Sequence, residues 1–242
     1  MNSMRKICVI PARLASTRFP KKILAELQGK SLLQWTYEAA KKCPFDEIVV
    51  AVDAKETLAL AESFGAKAIL TSENCLSGTM RLVELLETKK IDGDIFINWQ
   101  ADEPLITPKM IEELLVGPGD VWTLKKRITE KAQILDPNNV KVVTDRNNFA
   151  LYFSRCPIPH NGSIFYKHLG IYAYTKKTLQ KLAHFPSSML EKAEHLEQLR
   201  FLENGIKIRV NTTSGEAIGV DTKNDFKKLQ KIYDLAFSLH KE

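Results

Sequence analysis

Apolar residues fall along this chain in short unbroken runs separated by polar loops. The first run, within residues 5–10, is β-branched, lacks alternation and ends at Pro11, which predicts a strand covered on both faces. Beyond a basic loop, "SLLQWTYEAAKK" sets Leu32, Leu33, Trp35, Tyr37, Ala39 and Ala40 at helical spacing, with Ser31 as the cap. "DEIVVAVD" predicts a second buried strand ending on Asp53, "AKETLALAESFGA" a helix stopped at Gly65, and "KAILT" a third strand. "DIFIN" is a further apolar strand, and it runs straight into "NWQADEP". Strand, helix, strand in repetition predicts a parallel, right-handed α/β sheet, whose ligands collect beyond the carboxyl ends of the strands.

The second half changes character. Residues 118–127 and 140–153 predict strands joined by polar turns, with "DRNN" as a hairpin tip, and "KHLGIYAYT" from 167 predicts another. "LEKAEHLEQLRFLENG" is expected to be one amphipathic helix ended by Asn204-Gly205, followed by the strand "IKIRVN" and a last helix from about Asn224 to His240. No internal repeat or low-complexity tract interrupts this, so residues 1–242 are expected to form a single domain.

Composition narrows the function classes. With 44% hydrophobic residues the chain has material for one large core. Its net charge of +6 suits either nucleic acid or an anionic small molecule, but the basic residues form no long block, so no nucleic-acid partner is expected. Cys8, Cys43, Cys75 and Cys156 show no CxxC spacing, which predicts reduced thiols rather than zinc or disulfides. The apolar run near the N-terminus spans only four residues, too short for a signal or a membrane span, and a cytoplasmic protein is expected.

The chemistry concentrates in loops at strand ends. Arg13, Arg18, Lys21 and Lys22 follow the first strand, and no Asp or Glu occurs from Ile7 to Ile23. Such a segment can cradle phosphates, or it can be a basic surface turn; neither GxxxxGK nor GxGxxG is present. Asp102 and Glu103, before Pro104, are either a solvated acidic turn or magnesium ligands, because Mg²⁺ takes one or two carboxylates and completes its shell with phosphate and water. Asp221, closing "IGVDT", is the second candidate. His168 and His195 lack the spacing of a transition-metal site, and Arg155 and Arg200 can bind a carboxylate or pair with nearby Glu residues. The residues alone point to a magnesium-dependent enzyme acting on a nucleoside triphosphate.

Eight motifs in order along the chain go further: "IPARLASTRFPKK", "SGTMR", "NWQADEP", "NNVKVV", "ALYFSRCPIPH", "YKHLGIYAY", "LEQLRFLENG" and "GVDT". Together they resemble the 3-deoxy-manno-octulosonate cytidylyltransferases, or CMP-Kdo synthetases. That resemblance implies a glycosyltransferase-A-type α/β nucleotidyltransferase, a mixed, mainly parallel sheet flanked by helices, with a smaller sugar-binding and dimerisation lobe within roughly 118–205. It implies a homodimer that converts CTP and Kdo into CMP-Kdo and pyrophosphate for the lipopolysaccharide inner core. By motif, Pro11, Ala12, Arg13, Ser16, Lys22, Ser77, Gly78 and Arg81 would bind the nucleotide, and Gln100 would bridge it to the sugar. Arg155, His168, Glu197 and Gln198 would meet the sugar. Asp102 and Asp221 would hold Mg²⁺ and, with Lys22, carry catalysis.

Three positions depart from the family's usual pattern: Lys21 and Ala101 stand where it has Gly, and Met80 where it commonly has Glu. These departures direct attention to the acceptor, leaving open an 8-amino Kdo, another 2-keto sugar such as a sialic acid, or a non-catalytic nucleotide-binding relative.

Overall fold

The computed structural model describes residues 4–16, 18–75 and 77–239. Its first strand, β1 (Lys6–Ala12), is buried along almost its whole length because both faces of the sheet are covered, as the unbroken apolar run requires. The other strands are β2 (Glu26–Leu27), β3 (Lys30–Ser31), β4 (Glu47–Val52), β5 (Ala68–Leu70), β6 (Ile95–Asn98), β7 (Val121–Ile128), β8 (Lys141–Thr144), β9 (Ala150–Ser154), β10 (Phe165–Thr175) and β11 (Ile208–Thr212). The helices are α1 (Leu32–Ala40), α2 (Lys55–Ser63), α3 (Gly78–Glu87), α4 (Pro108–Leu114), α5 (Lys131–Leu135), α6 (Lys176–Leu182), α7 (Met189–Glu194), α8 (Glu197–Glu203) and α9 (Lys223–Leu239).

The main sheet runs β11-β7-β10-β6-β1-β4-β5. Strands β5, β4, β1 and β6 are mutually parallel, β10 is antiparallel to both its neighbours, and β11 is parallel to β7. The chain steps outward from β1 to β4 and β5, then returns to lay β6 on the opposite side of β1. That reversal opens a crevice beyond the carboxyl ends of β1 and β6. The sheet is thus mixed and mainly parallel, as expected.

Successive residues of β1 feed two cores. Cys8, Ile10 and Ala12 join Leu33, Val50, Ile97 and Trp99 on one face, while Ile7 and Val9 join Leu82, Leu86, Phe96 and Leu199 on the other. A third cluster of Leu27, Leu32, Val220 and Leu229 seats α9 against α1 and the β2–β3 hairpin, with Phe19, Trp35 and Tyr233 at its margin.

Residues 118–205 do not stand apart from this body, since β7 and β10 lie in the main sheet; the β8–β9 hairpin extends it through β10. The "DRNN" tip folds around Asp145, whose Oδ1 accepts from the amides of Asn147 and Phe149, with Asn148 left-handed at φ 62°. The helix expected over 190–205 is instead two. Ser188 and Glu191 form a capping box at the start of α7, and His195 turns left-handed at φ 53° to end it. Arg155 fixes this break from outside: its guanidinium donates to the carbonyls of Glu194, His195 and Pro137. The second helix therefore starts afresh at Glu197, with its N-terminus beside α3. The end of the last expected helix, at His240, lies outside the described residues.

Candidate active site

Both loops singled out by their residue types leave the carboxyl ends of β1 and β6. The basic loop after β1 is anchored by Asp53, at the end of β4, which accepts from the amide of Leu14 at 2.9 Å and from Arg81 at 3.0 Å. Arg81, buried on α3, also donates to Thr71 Oγ1 and the carbonyl of Ser72. Its guanidinium is therefore spent on tying the loop after β4 to the loop after β5, and through Asp53 the basic loop as well. Pro11 and Ala12 are buried at the end of β1, and Arg13, Ser16, Pro20, Lys21 and Asp53 line a cavity of about 730 Å³ above it.

Lys22 turns inward from this loop. Its ammonium is hydrogen-bonded to Asp102 and lies 3.1 Å from Asp221 Oδ1, while Arg18 reaches Asp221 Oδ2 at 3.0 Å. Burial alone would lower the Lys22 pKa; attraction and hydrogen bonds to Asp102, then Asp221, outweigh it, and the net shift is upward. Asp221 is brought here because residues 217–221 run beside the β6 loop, Val220 donating to the carbonyl of Asp102. Two carboxylates that share one cation in this way form a donor set that fits Mg²⁺: hard oxygens, two in number, with phosphate and water left to complete an octahedron. Among the described residues no cluster of three or more His, Cys, Asp or Glu offers an alternative site.

The groups expected to bind nucleotide and sugar meet at the N-terminus of α3. Ser77 caps α3 by accepting from Met80 N, and its hydroxyl donates to Glu197 Oε1 at 2.6 Å; Thr79 donates to Glu197 Oε2 at 2.7 Å. Gly78 lets the start of α3 lie close against the ends of β1 and β6: a Cβ there would lie 3.0 Å from Pro11 Cγ and 3.2 Å from Gln100 Nε2. Gln100 donates to Asn98 Oδ1, and Gln198 is buried one residue into α8.

A larger cavity, of about 790 Å³, opens on the other side of the Lys22 cluster, lined among others by Arg18, Glu103, Lys167, His168, Gly170 and Asp221. His168 packs edge-on to Phe153, with Nε2 at 3.0 Å from Thr123 Oγ1. The Thr123 hydroxyl has one proton, and the carbonyls of Leu169 and Ile171 take it, so Nε2 is the protonated nitrogen. Burial and then the charge of Lys167 lower the His168 pKa to about 3, which keeps the ring neutral. Glu103, paired with Asp102 above as a candidate magnesium ligand, has its carboxyl raised to about 8, chiefly by burial and next by Asp102. Arg155 is not part of this lining; its place is the helix break described above.

A cytidylyltransferase family model matches residues 7–208. A 3-deoxy-manno-octulosonate cytidylyltransferase from Chloroherpeton thalassium is 45% identical, covering 95% of this chain and 98% of the relative. The chain belongs to the 3-deoxy-manno-octulosonate cytidylyltransferase family. The namesake from Francisella tularensis subsp. holarctica is 44% identical over 94% of the chain. A solved CMP:2-keto-3-deoxy-manno-octonic acid synthetase complexed with CTP superposes with a TM-score of 0.90 at 40% identity, covering 96% of this chain and 99% of that one. An inositol-1-phosphate CTP transferase from T. maritima, at 16% identity and a TM-score of 0.69, shares the fold.

Set against the cytidylyltransferase pattern, the substitution of Lys for Gly at 21 has a visible backbone consequence. Lys21 is left-handed, at φ 54°, and its ammonium pairs with Glu56 of α2 at 3.0 Å.

Proposed function

We propose that this chain transfers CMP from CTP to the anomeric hydroxyl of Kdo, releasing pyrophosphate. The observation that carries the proposal is Lys22 held jointly by Asp102 and Asp221 at the crevice between β1 and β6, in a chain this similar to a CTP-bound synthetase.

The anomeric oxygen forms a bond to the α-phosphorus as the bond to the β-phosphate oxygen breaks and the hydroxyl gives up its proton. The enzyme's task is then positioning and charge neutralisation. Arg13, Ser16 and Lys22, on the loop after β1, hold the triphosphate. Ser77 and Gly78 let the nucleotide approach the end of β1, and Gln100 stands between nucleotide and sugar. Glu197, Gln198 and His168 contribute neutral or acidic partners for sugar hydroxyls. His168 acts there as a neutral hydrogen-bonding ring and not as an acid, given its low pKa. Asp102 and Asp221 would hold Mg²⁺, which supplies neutralisation of phosphate charge and polarisation of the α-phosphate when bound. Arg155 serves the sugar side indirectly, by fixing the turn that orients Glu197.

The working enzyme is a homodimer. Leu135, Leu151, Ile164 and Met189 are exposed within 118–205 and are the apolar side chains offered to a second copy. No helix among the described residues is long and apolar enough to cross a membrane. A cytoplasmic place, feeding activated sugar to lipopolysaccharide assembly, accords with that.

The test is pyrophosphate release from CTP and Mg²⁺ with Kdo, 8-amino-Kdo and a sialic acid in parallel. Turnover with Kdo, lost in Asp102→Ala by at least ~10²-fold, is the expected result. Turnover confined to another sugar would reassign the acceptor, and CTP binding without turnover on any of the three would overturn the activity.

A further inference from the structure

Glu103 is 9% exposed, and its Oε2 is buried without a hydrogen-bond partner. Folded proteins seldom leave such an atom unpaired, because water lost on burial is not replaced. The backbone around it is fixed: the amide of Glu103 donates to the carbonyl of Gln100, and Trp99 Nε1 donates to the carbonyl of Glu103 at 2.9 Å. The side chain therefore is not at this spot through looseness of its loop.

Space has been kept for it. The register of β10 against β7 slips between Leu169 and Tyr172, and Gly170 sits in that irregularity. A Cβ at Gly170 would lie 3.1 Å from Glu103 Oε1, and one at Gly219 would lie 3.7 Å away. Two glycines from distant parts of the chain thus flank one carboxyl. Glu103 lines the 790 Å³ cavity shared with Lys167, His168 and Asp221, with Gly170 and Gly219 in the same wall.

We propose that Glu103 is a sugar-contacting specificity residue, its carboxyl forming a hydrogen bond with a hydroxyl of the acidic sugar seated in this cavity. The inference rests on the proposed function, since it takes the cavity to be the acceptor's. A polyhydroxylated ligand supplies the partner that Oε2 lacks, and a hydroxyl, able both to donate and to accept, meets the carboxyl in either protonation state.

The experiment compares Glu103→Met, of similar length and apolar, with Glu103→Gln and the unaltered enzyme. KM for the sugar, KM for CTP and kcat are measured with whichever of Kdo, 8-amino-Kdo and sialic acid the unaltered enzyme uses, alongside thermal melts without ligand. Loss of one hydrogen bond to a buried polar group predicts a KM for the sugar raised at least ~10-fold in Glu103→Met, with KM for CTP changed less than about 2-fold. Glu103→Gln, which keeps an oxygen at the same reach, should recover part of that loss. The melt of Glu103→Met should be unchanged or higher, because an apolar group replaces an unpaired polar one. A purely structural role, or an ordered water as the only partner, predicts an unchanged KM for the sugar, and that result overturns the proposal while leaving the activity intact. Failure of the unaltered enzyme on all three sugars overturns the substrate assignment and this proposal with it.

Discussion

Between about pH 7.5 and about 5 one imidazole should take stability from the folded protein, while Glu103, its carboxyl raised to about 8, adds stability over the same range, so the imidazole is read as a difference between two proteins. His168 is packed against Phe153 and Tyr172, ring centroids 5.1 and 5.3 Å away, and donates through Nε2 to Thr123. Burial, with Lys167 next in weight, holds its pKa near 3 against an ordinary value of 6.5. Because the folded pKa lies below the unfolded one, protons bind the unfolded chain first as pH falls beneath 6.5. The stability this group contributes is present above 6.5 and is lost progressively down to about 3. Each unit in that window is worth about 1.4 kcal/mol, so at about pH 5 the loss is about 2 kcal/mol.

The assay is urea unfolding at both pH values, without ligands, for the unaltered protein and His168→Gln, which keeps a donor for Thr123 and cannot titrate. The unaltered protein should lose about 2 kcal/mol more than the variant between the two conditions. Equal losses in the two proteins would mean that the ring accepts a proton in the folded state, and would refute the neutral-ring role given to it above.

Substitutions at three further positions probe the site and its departures. At position 21, Gly should give a protein more stable than Ala by about 1 kcal/mol in denaturant titrations, since both lose the Glu56 pair and only Ala keeps a side chain in the left-handed region. Met80→Glu places a carboxylate three residues after the Ser77 cap and should raise stability by about 0.5 kcal/mol, read as an upward shift in melting temperature. Lys22→Met should cut turnover at least ~10²-fold, yet Mn²⁺ titrated by electron paramagnetic resonance should bind the nucleotide-free variant more tightly, because the ammonium no longer competes for Asp102 and Asp221; weaker binding would refute that competition.

The parallel half of the fold was legible because buried strands write themselves as unbroken apolar runs, and the loops after β1 and β6 carry residue types found at few other purposes. What escaped was long-range. α3 was not among the expected helices, although Leu82, Val83, Leu85 and Leu86 are buried at helical spacing, because it opens on Gly78 and Thr79, poor helix formers. The break at His195 depends on Arg155, whose acceptors are main-chain carbonyls at 137, 194 and 195, and carbonyls leave no trace in residue type. Lys141 is similar: fully buried, it donates to the carbonyls of Asp136 and Asn139 and holds the loop that borders the 790 Å³ cavity. Glu103 could have been suspected from its motif, but only the glycines across from it give the carboxyl its setting.

The three departures from the family pattern resolve differently once their places are known. Lys21 occupies a left-handed position, so the usual Gly there serves backbone conformation, and the Glu56 pair offsets part of the strain. Ala101 is not left-handed; its methyl joins the core and its carbonyl accepts from Thr36 Oγ1 at 2.8 Å, so a Cβ is accommodated without backbone strain. Met80 removes one half of a capping box while Ser77 keeps the other. None of the three lines the 790 Å³ cavity, and Lys21 lines only the smaller one beside Arg13 and Ser16. On the proposed assignment, choice among Kdo, its 8-amino form and a sialic acid therefore falls to the residues proposed to meet the sugar. On the roles proposed above these are Gln100, His168, Glu197, Gln198 and Glu103, the last with a carboxyl oxygen set against Gly170 and Gly219.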